Sequence, residues 1–107
     1  MGLPTFSTST TLTSAGVTAD VPTVGAEDFV IAVTTASIGT NVIVRIEGTI
    51  DGTNYFNCDY GGDTTVTANG TTAFSLQNAP IQSIRGRLVS VSGGTPSVTF
   101  AFSRFVA

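Results

Sequence analysis

The chain of 107 residues contains no histidine, no lysine and no tryptophan, and it has a single cysteine, Cys58. Without histidine it lacks the commonest general base and the commonest zinc ligand, and without lysine no GxxxxGK[ST] phosphate loop can be present. One cysteine excludes an internal disulfide, so Cys58, set in a strand pattern, reads as a small apolar filler. Only 10% of residues are charged, against about 25% in an average soluble protein. The four cations are Arg45, Arg85, Arg87 and Arg104, and the net charge is −3. Binding to nucleic acid or to an anionic membrane surface depends on clustered positive charge, so neither is expected as a partner. No apolar run approaches the ~20 residues that span a bilayer, and the first residues lack the pattern of a signal peptide. The expectation is a protein assembled in a cytoplasm, with no cofactor and no enzymatic activity.

What is abundant is alternation. Val42, Val44, Ile46, Gly48 and Ile50 fall on one face of an extended chain, and Ile43, Arg45, Glu47 and Thr49 fall on the other. Asp51-Gly52-Thr53-Asn54 then supplies residues that tolerate positive φ, which predicts a β-hairpin to a second arm over 55–60. Residues 28–35 (DFVIAVTT) are apolar on both faces, as suits a strand inside a sheet. Residues 64–68 and 71–76 read as strands joined by an Asn69-Gly70 hairpin. In 84–91, Ile84, Gly86 and Leu88 face one way, while Arg85, Arg87, Val89 and Val91 face the other. Gly39-Thr40-Asn41 reads as a connection and Gly93-Gly94-Thr95-Pro96 as a turn before the last strand, 97–106. In that strand the apolar phase slips near Arg104-Phe105, for which a strand end is the simpler cause and a bulge the other.

Strands at roughly ten-residue spacing without a helical period predict an all-β fold, an antiparallel β-sandwich or jelly-roll-like small barrel with an extended N-terminal arm. The arm covers residues 1–24 and the sandwich domain 25–107. The arm is rich in Thr and Ser with spaced apolar residues, among them Leu3, Phe6 and Leu12, which suit an extended segment that clasps a neighbouring subunit. Pairing of residues 8–13 as an edge strand within the same domain is the alternative.

The candidate chemistry is sparse. Asp51, Asn54, Asp59 and Asp63 carry oxygen ligands of the kind calcium needs, but their spacing is not that of a calcium loop. Asp59 and Asp63 as paired catalytic carboxylates lack any sign of a cleft. Arg45, Glu47, Arg85 and Arg87 would form a cross-strand charge ladder if their strands pair. The sharper reading sends Arg85 and Arg87 to acidic groups on another subunit. Tyr55 and Tyr60 are the only tyrosines available as a stacking platform for sugars.

The block VIVRIEGTIDGTNYFNC, followed by NGTTAFSLQNAPIQSIRGRLVSVSGG and a final apolar strand, resembles small bacteriophage virion proteins, capsid decoration (cement) proteins among them. The likeness covers about residues 25–107. It implies a non-enzymatic protein on the outside of a phage head, bound to the major capsid protein, stabilising capsomers, and commonly a homotrimer. The alternative from another class is a receptor- or carbohydrate-binding module of a tail fibre or spike.

Overall fold

Two strands of 24 residues organise the molecule, and nearly everything else pairs with one of them. In this computed structural model, which describes residues 4–22, 26–58, 62–77 and 82–106, the elements are β1 (Pro4–Leu12), β2 (Gly16–Val17), β3 (Val21–Pro22), β4 (Ala26–Thr49), β5 (Tyr55–Asn57), β6 (Thr64–Val66), β7 (Gly70–Gln77) and β8 (Ser83–Val106). All pairings are antiparallel within one eight-stranded sheet, and no helix occurs among the described residues. β4 and β8 pair along almost their whole length, from Ala26↔Val106 to Thr49↔Ser83.

The long pair bends in the middle, and the bend makes the sandwich. Its register shifts between Ala36 and Ile38 and again between Ile38 and Asn41, opposite Gly94 and Ser92. Ser37, Gly93 and Gly94 take positive φ values of 57°, 71° and 67°. A Cβ on Gly39 would sit 2.7 Å from the Gly93 carbonyl oxygen, and one on Gly94 would sit 2.8 Å from Gly39 Cα. Only glycines let the two backbones come this close at the corner.

The bend corrects the reading of both glycine stretches as connections. Residues 39–41 and 93–96 lie where the register between β4 and β8 shifts, and the pairing resumes on either side of them; they are facing corners of two continuous strands. Asn69-Gly70 is corrected likewise. β6 pairs with Val42–Val44 and β7 with residues 28–35, so the segment between them passes from one half of β4 to the other. At that crossing the Ile38 N–H donates to Asn69 Oδ1 at 3.1 Å, and Thr35 Oγ1 donates to the carbonyls of Ala68 and Gly70.

β1 and β2 repeat the crossing on the other side, against residues 98–105 and then 87–88 of β8. One layer is therefore β1, residues 97–106, residues 26–36 and β7, in that order. The other is β2 with β3, residues 83–92, residues 41–49, and β5 with β6. Counted along the chain as eight segments, the layers run 1-8-3-6 and 2-7-4-5, the order of a jelly roll. Pro4–Leu12 thus pairs along β8 of its own chain, the edge-strand reading of that segment.

The inner faces form one core. Phe29, Ile31, Val33, Val98, Phe100 and Phe102 from the first layer meet Val42, Val44, Ile46, Ile84 and Leu88 from the second, all at most 2% exposed. Two sequence assignments shift here. Ile50 is 69% exposed because the strand ends at Thr49. Val91 pairs with inward-facing Val42 and packs against the core, because the register slips between Ile43↔Ser90 and Val44↔Leu88 and reverses the phase of β8. At the other end β8 does not stop at Arg104. It continues to Val106, and the irregularities lie in its neighbours, between Pro4 and Phe6 and between Ala26 and Asp28.

Candidate functional site

The two layers present outer faces of opposite chemistry. On the second layer, odd-numbered residues of β4 and of the first part of β8 point outward, which brings Arg45, Glu47, Arg85 and Arg87 together with Arg45 opposite Arg87 and Glu47 opposite Arg85. Glu47 is the hub. Its Oε1 accepts from Arg85 Nε at 2.9 Å, and its Oε2 accepts from Arg87 Nε at 2.8 Å and from Arg45 Nη1 at 3.2 Å. The carboxylate side chain is only 5% exposed beneath these three guanidiniums. Burial pushes the Glu47 carboxyl up, but hydrogen bonds from Arg87, Arg85 and Arg45 outweigh it and hold the group below its ordinary range.

Asp63 and Tyr55 extend the cluster. Arg45 grips Asp63 with two parallel bonds, Nε to Oδ1 at 2.7 Å and Nη2 to Oδ2 at 3.1 Å. Asn57 Nδ2 donates to the same Asp63 Oδ1. The Arg45–Asp63 contact lowers the Asp63 carboxyl and, with Glu47, raises the Arg45 guanidinium. Arg85 lies over the Tyr55 ring, 3.5 Å from its centroid, and the Tyr55 hydroxyl donates to Asp20. That bond to Asp20, with partial desolvation, raises the Tyr55 phenol.

The charge ladder expected from the strand pattern is therefore present, and Arg85 and Arg87 both bind Glu47 of their own chain. Asp20 and Asp63 were not foreseen as members. They arrive on irregular segments whose approach to the sheet leaves no periodic trace. Tyr55 offers sugars at most one ring face, since Arg85 covers the other; Tyr60 lies outside the described residues. Of the arm residues, Leu12 packs half-buried against the core. Leu3 lies outside the described residues, and so does the side chain of Phe6.

The oxygen ligands on the loops are already employed. Asp51 Oδ1 accepts from the backbone N–H groups of Thr53 and Asn54, both at 2.8 Å, and Oδ2 accepts from Asn54 Nδ2 at 2.8 Å. These bonds hold its carboxyl far below the usual range and close the 50–54 loop. Asp59 lies outside the described residues. Among the described residues no group of three side chains is placed to hold a metal ion.

Among the described residues, the outer face of the first layer carries no such cluster. Its rows across the four strands, read from the register, are Thr11, Thr99, Thr34 and Thr71, then Ser9, Ala101, Ala32 and Ala73, with Ser103, Val30 and Ser75 in the next. Thr11 and Thr99 share a hydroxyl hydrogen bond of 2.8 Å, and Thr34 and Thr71 one of 2.9 Å. None of these eleven residues is ionisable.

Comparison with solved structures gives two useful likenesses. The SPBc2 prophage-derived protein YomS superposes with a TM-score of 0.65 at 12% identity, covering 97% of this chain and 96% of that one. A structure from Bacillus endospore appendages, which form a family of disulfide-linked pili, superposes with a TM-score of 0.50 at 10% identity, covering 99% and 93%. At these identities the likeness is one of fold. No protein-family model and no curated protein sequence matches the chain.

Proposed function

We propose that this chain is a non-enzymatic structural subunit of a bacteriophage particle, a decoration (cement) protein that binds the outside of the head shell. Its partners are then the major capsid protein and further copies of itself, with a homotrimer as the expected assembly. The observation that carries the reading is the un-ionised stretch of the first layer's outer face formed by the eleven residues from Thr11 to Ser75 in three rows. Hydroxyls and methyls leave water at far lower cost than charges, and threonine and serine hydroxyls can rotate to remake their hydrogen bonds with a partner. A face of this kind suits a lasting contact with another protein, and interface centres are depleted of charge in the same way. The opposite face, where the guanidiniums already have carboxylate partners, suits solvent.

The shared fold supports this reading from a second side, since one likeness is to a prophage-derived protein and the other to appendages built by assembly. Sugar binding gains no such support, with Tyr55 stacked under Arg85.

The test is co-sedimentation of the purified protein with emptied phage shells. The proposal expects the protein in the pellet, a rise in the temperature at which shells open, and loss of both effects in Ala101→Lys, which places a charge in the centre of the face. Protein that stays in the supernatant with every shell offered would overturn it.

A further inference from the structure

We infer that copies of this chain associate head to tail, with β1 of one copy pairing antiparallel along β7 of the next. The inference starts from a contrast between the edges of the two layers. An unpaired strand edge is a row of free N–H and C=O groups, and proteins guard such edges with short strands, interruptions, proline or charge. The second layer is guarded. Its edges are β2 and β3 of two residues each, the latter ending at Pro22, and β5 and β6 of three residues each. The first layer is not. Its edges are β1, nine residues, and β7, eight residues; neither contains a charged residue, and the one proline stands at the start of β1. Among the described residues, β1 pairs only with β8 and β7 only with β4.

The two unguarded edges also fit each other. β1 runs antiparallel to β8, β8 to β4, and β4 to β7, so β1 and β7 point in opposite directions at the two sides of one layer. A second copy in the same orientation therefore presents its β7 antiparallel to the first copy's β1. Lengths match within a residue, and neither strand carries a charged residue, so no charge needs to be desolvated on pairing. This is why the occupant is another copy of this chain and not an unrelated strand. Such a contact is heterologous, since the two surfaces differ; it closes into a ring or continues as a filament according to the rotation between copies. It concerns how copies meet each other and stands whether or not a phage shell is the further partner.

One row of the layer supplies the test. Thr10, Phe100, Val33 and Thr72 are register partners on the inner side, with Thr10 and Thr72 at its two ends. A lysine at either end would run its stem along the core and bring its ammonium out at the edge, where the incoming strand must lie. Mass would be measured by light scattering without shells, and folding checked by thermal unfolding. Wild type should be a discrete oligomer or a polymer, and Thr10→Lys and Thr72→Lys should each be monomeric. Mixed together, the two variants retain one intact β7 and one intact β1 and should form a 1:1 dimer that grows no further. Ala101→Lys, in the middle of the outer face, should keep the wild-type mass.

A monomeric wild type, or a mixture that stays monomeric, would overturn the inference. So would loss of association in Ala101→Lys equal to that in the edge variants, since that outcome assigns the contact to the face. If either edge variant unfolds, Ser9→Pro or Thr10→Pro on β1 and Ala73→Pro or Thr72→Pro on β7 replace it, because one residue of each neighbouring pair directs its N–H outward.

Discussion

The ring of Phe100, from one layer, fills the space that a side chain at Gly86, in the other, would occupy: a Cβ built on Gly86 would lie 2.7 Å from Phe100 Cε2 and nearer still to Cδ2. Both residues are buried, and Phe100 is fully enclosed. The glycine is therefore there for the close approach of the two layers and not for a turn.

Gly86→Ala should destabilise the fold by about 1–3 kcal/mol, because the ring must move in a core with no slack. Gly16→Ala is the control. The nearest atom to its Cβ is the Ser14 carbonyl oxygen at 3.8 Å, an ordinary contact. Denaturant unfolding that shows equal losses for the two variants would contradict the packing described here.

Glu47→Gln should cost about 1–3 kcal/mol. The change removes the negative charge under Arg45, Arg85 and Arg87 and leaves three cations crowded on one face. An enclosed pair broken in this way costs roughly 3–5 kcal/mol. The guanidiniums here reach water, Arg87 being 34% exposed, so solvent recovers part of that loss. A variant as stable as wild type would mean that the cluster contributes nothing to the fold.

Stability should be level from neutral pH down to about 5 and fall below about 4, where free carboxyls titrate. Glu47, Asp51 and Asp63 all have carboxyls lowered in the folded protein. A group lowered on folding binds fewer protons folded than unfolded, so its contribution is present above the unfolded value and is lost as pH falls through the folded one. Thermal unfolding against pH checks this, and Glu47→Gln should flatten part of the acid decline. A Tm that rises below pH 4 would reverse the assigned sign.

Most strands and the inward faces of Val42, Val44, Ile46, Ile84 and Leu88 were legible because alternation in β4 and β8 is a local property of an extended chain; the face of Val91 was not, because a register slip reverses the phase before it. The corners were not. Gly39, Gly93, Gly94 and Asn69-Gly70 announce that the backbone leaves regular strand geometry, but a hairpin turn and a bend in two paired strands ask for the same residues. Which one forms depends on whether the partner strand bends at the same height, and that is a long-range fact. The charged face was half legible in the same sense. Arg45 and Glu47 share a strand face, and Arg85 and Arg87 share another, whereas Asp63 reaches Arg45 from a loop 18 residues away and Asp20 reaches Tyr55 from 35 away. The un-ionised face follows from register alone. Thr11, Thr99, Thr34 and Thr71 are far apart in sequence, and only the pairing order β1-β8-β4-β7 makes them a row.

Thr18→Val should destabilise the protein by about 1–3 kcal/mol although it keeps the side chain's shape. Thr18 is 4% exposed and belongs to no strand, yet it extends the second layer's edge between β2 and β3. Its N–H donates to the Gly86 carbonyl at 3.0 Å, while its Oγ1 accepts from the Gly86 N–H at 3.0 Å and donates to the Ala19 carbonyl. Valine would leave the buried Gly86 N–H without that acceptor, and water cannot readily replace it with Phe100 packed on the same glycine. Thr18→Ser keeps the hydroxyl and should recover most of the loss, which separates the hydrogen bond from the methyl contact. If the serine variant is no more stable than the valine one, the hydroxyl is not what holds this edge to β8.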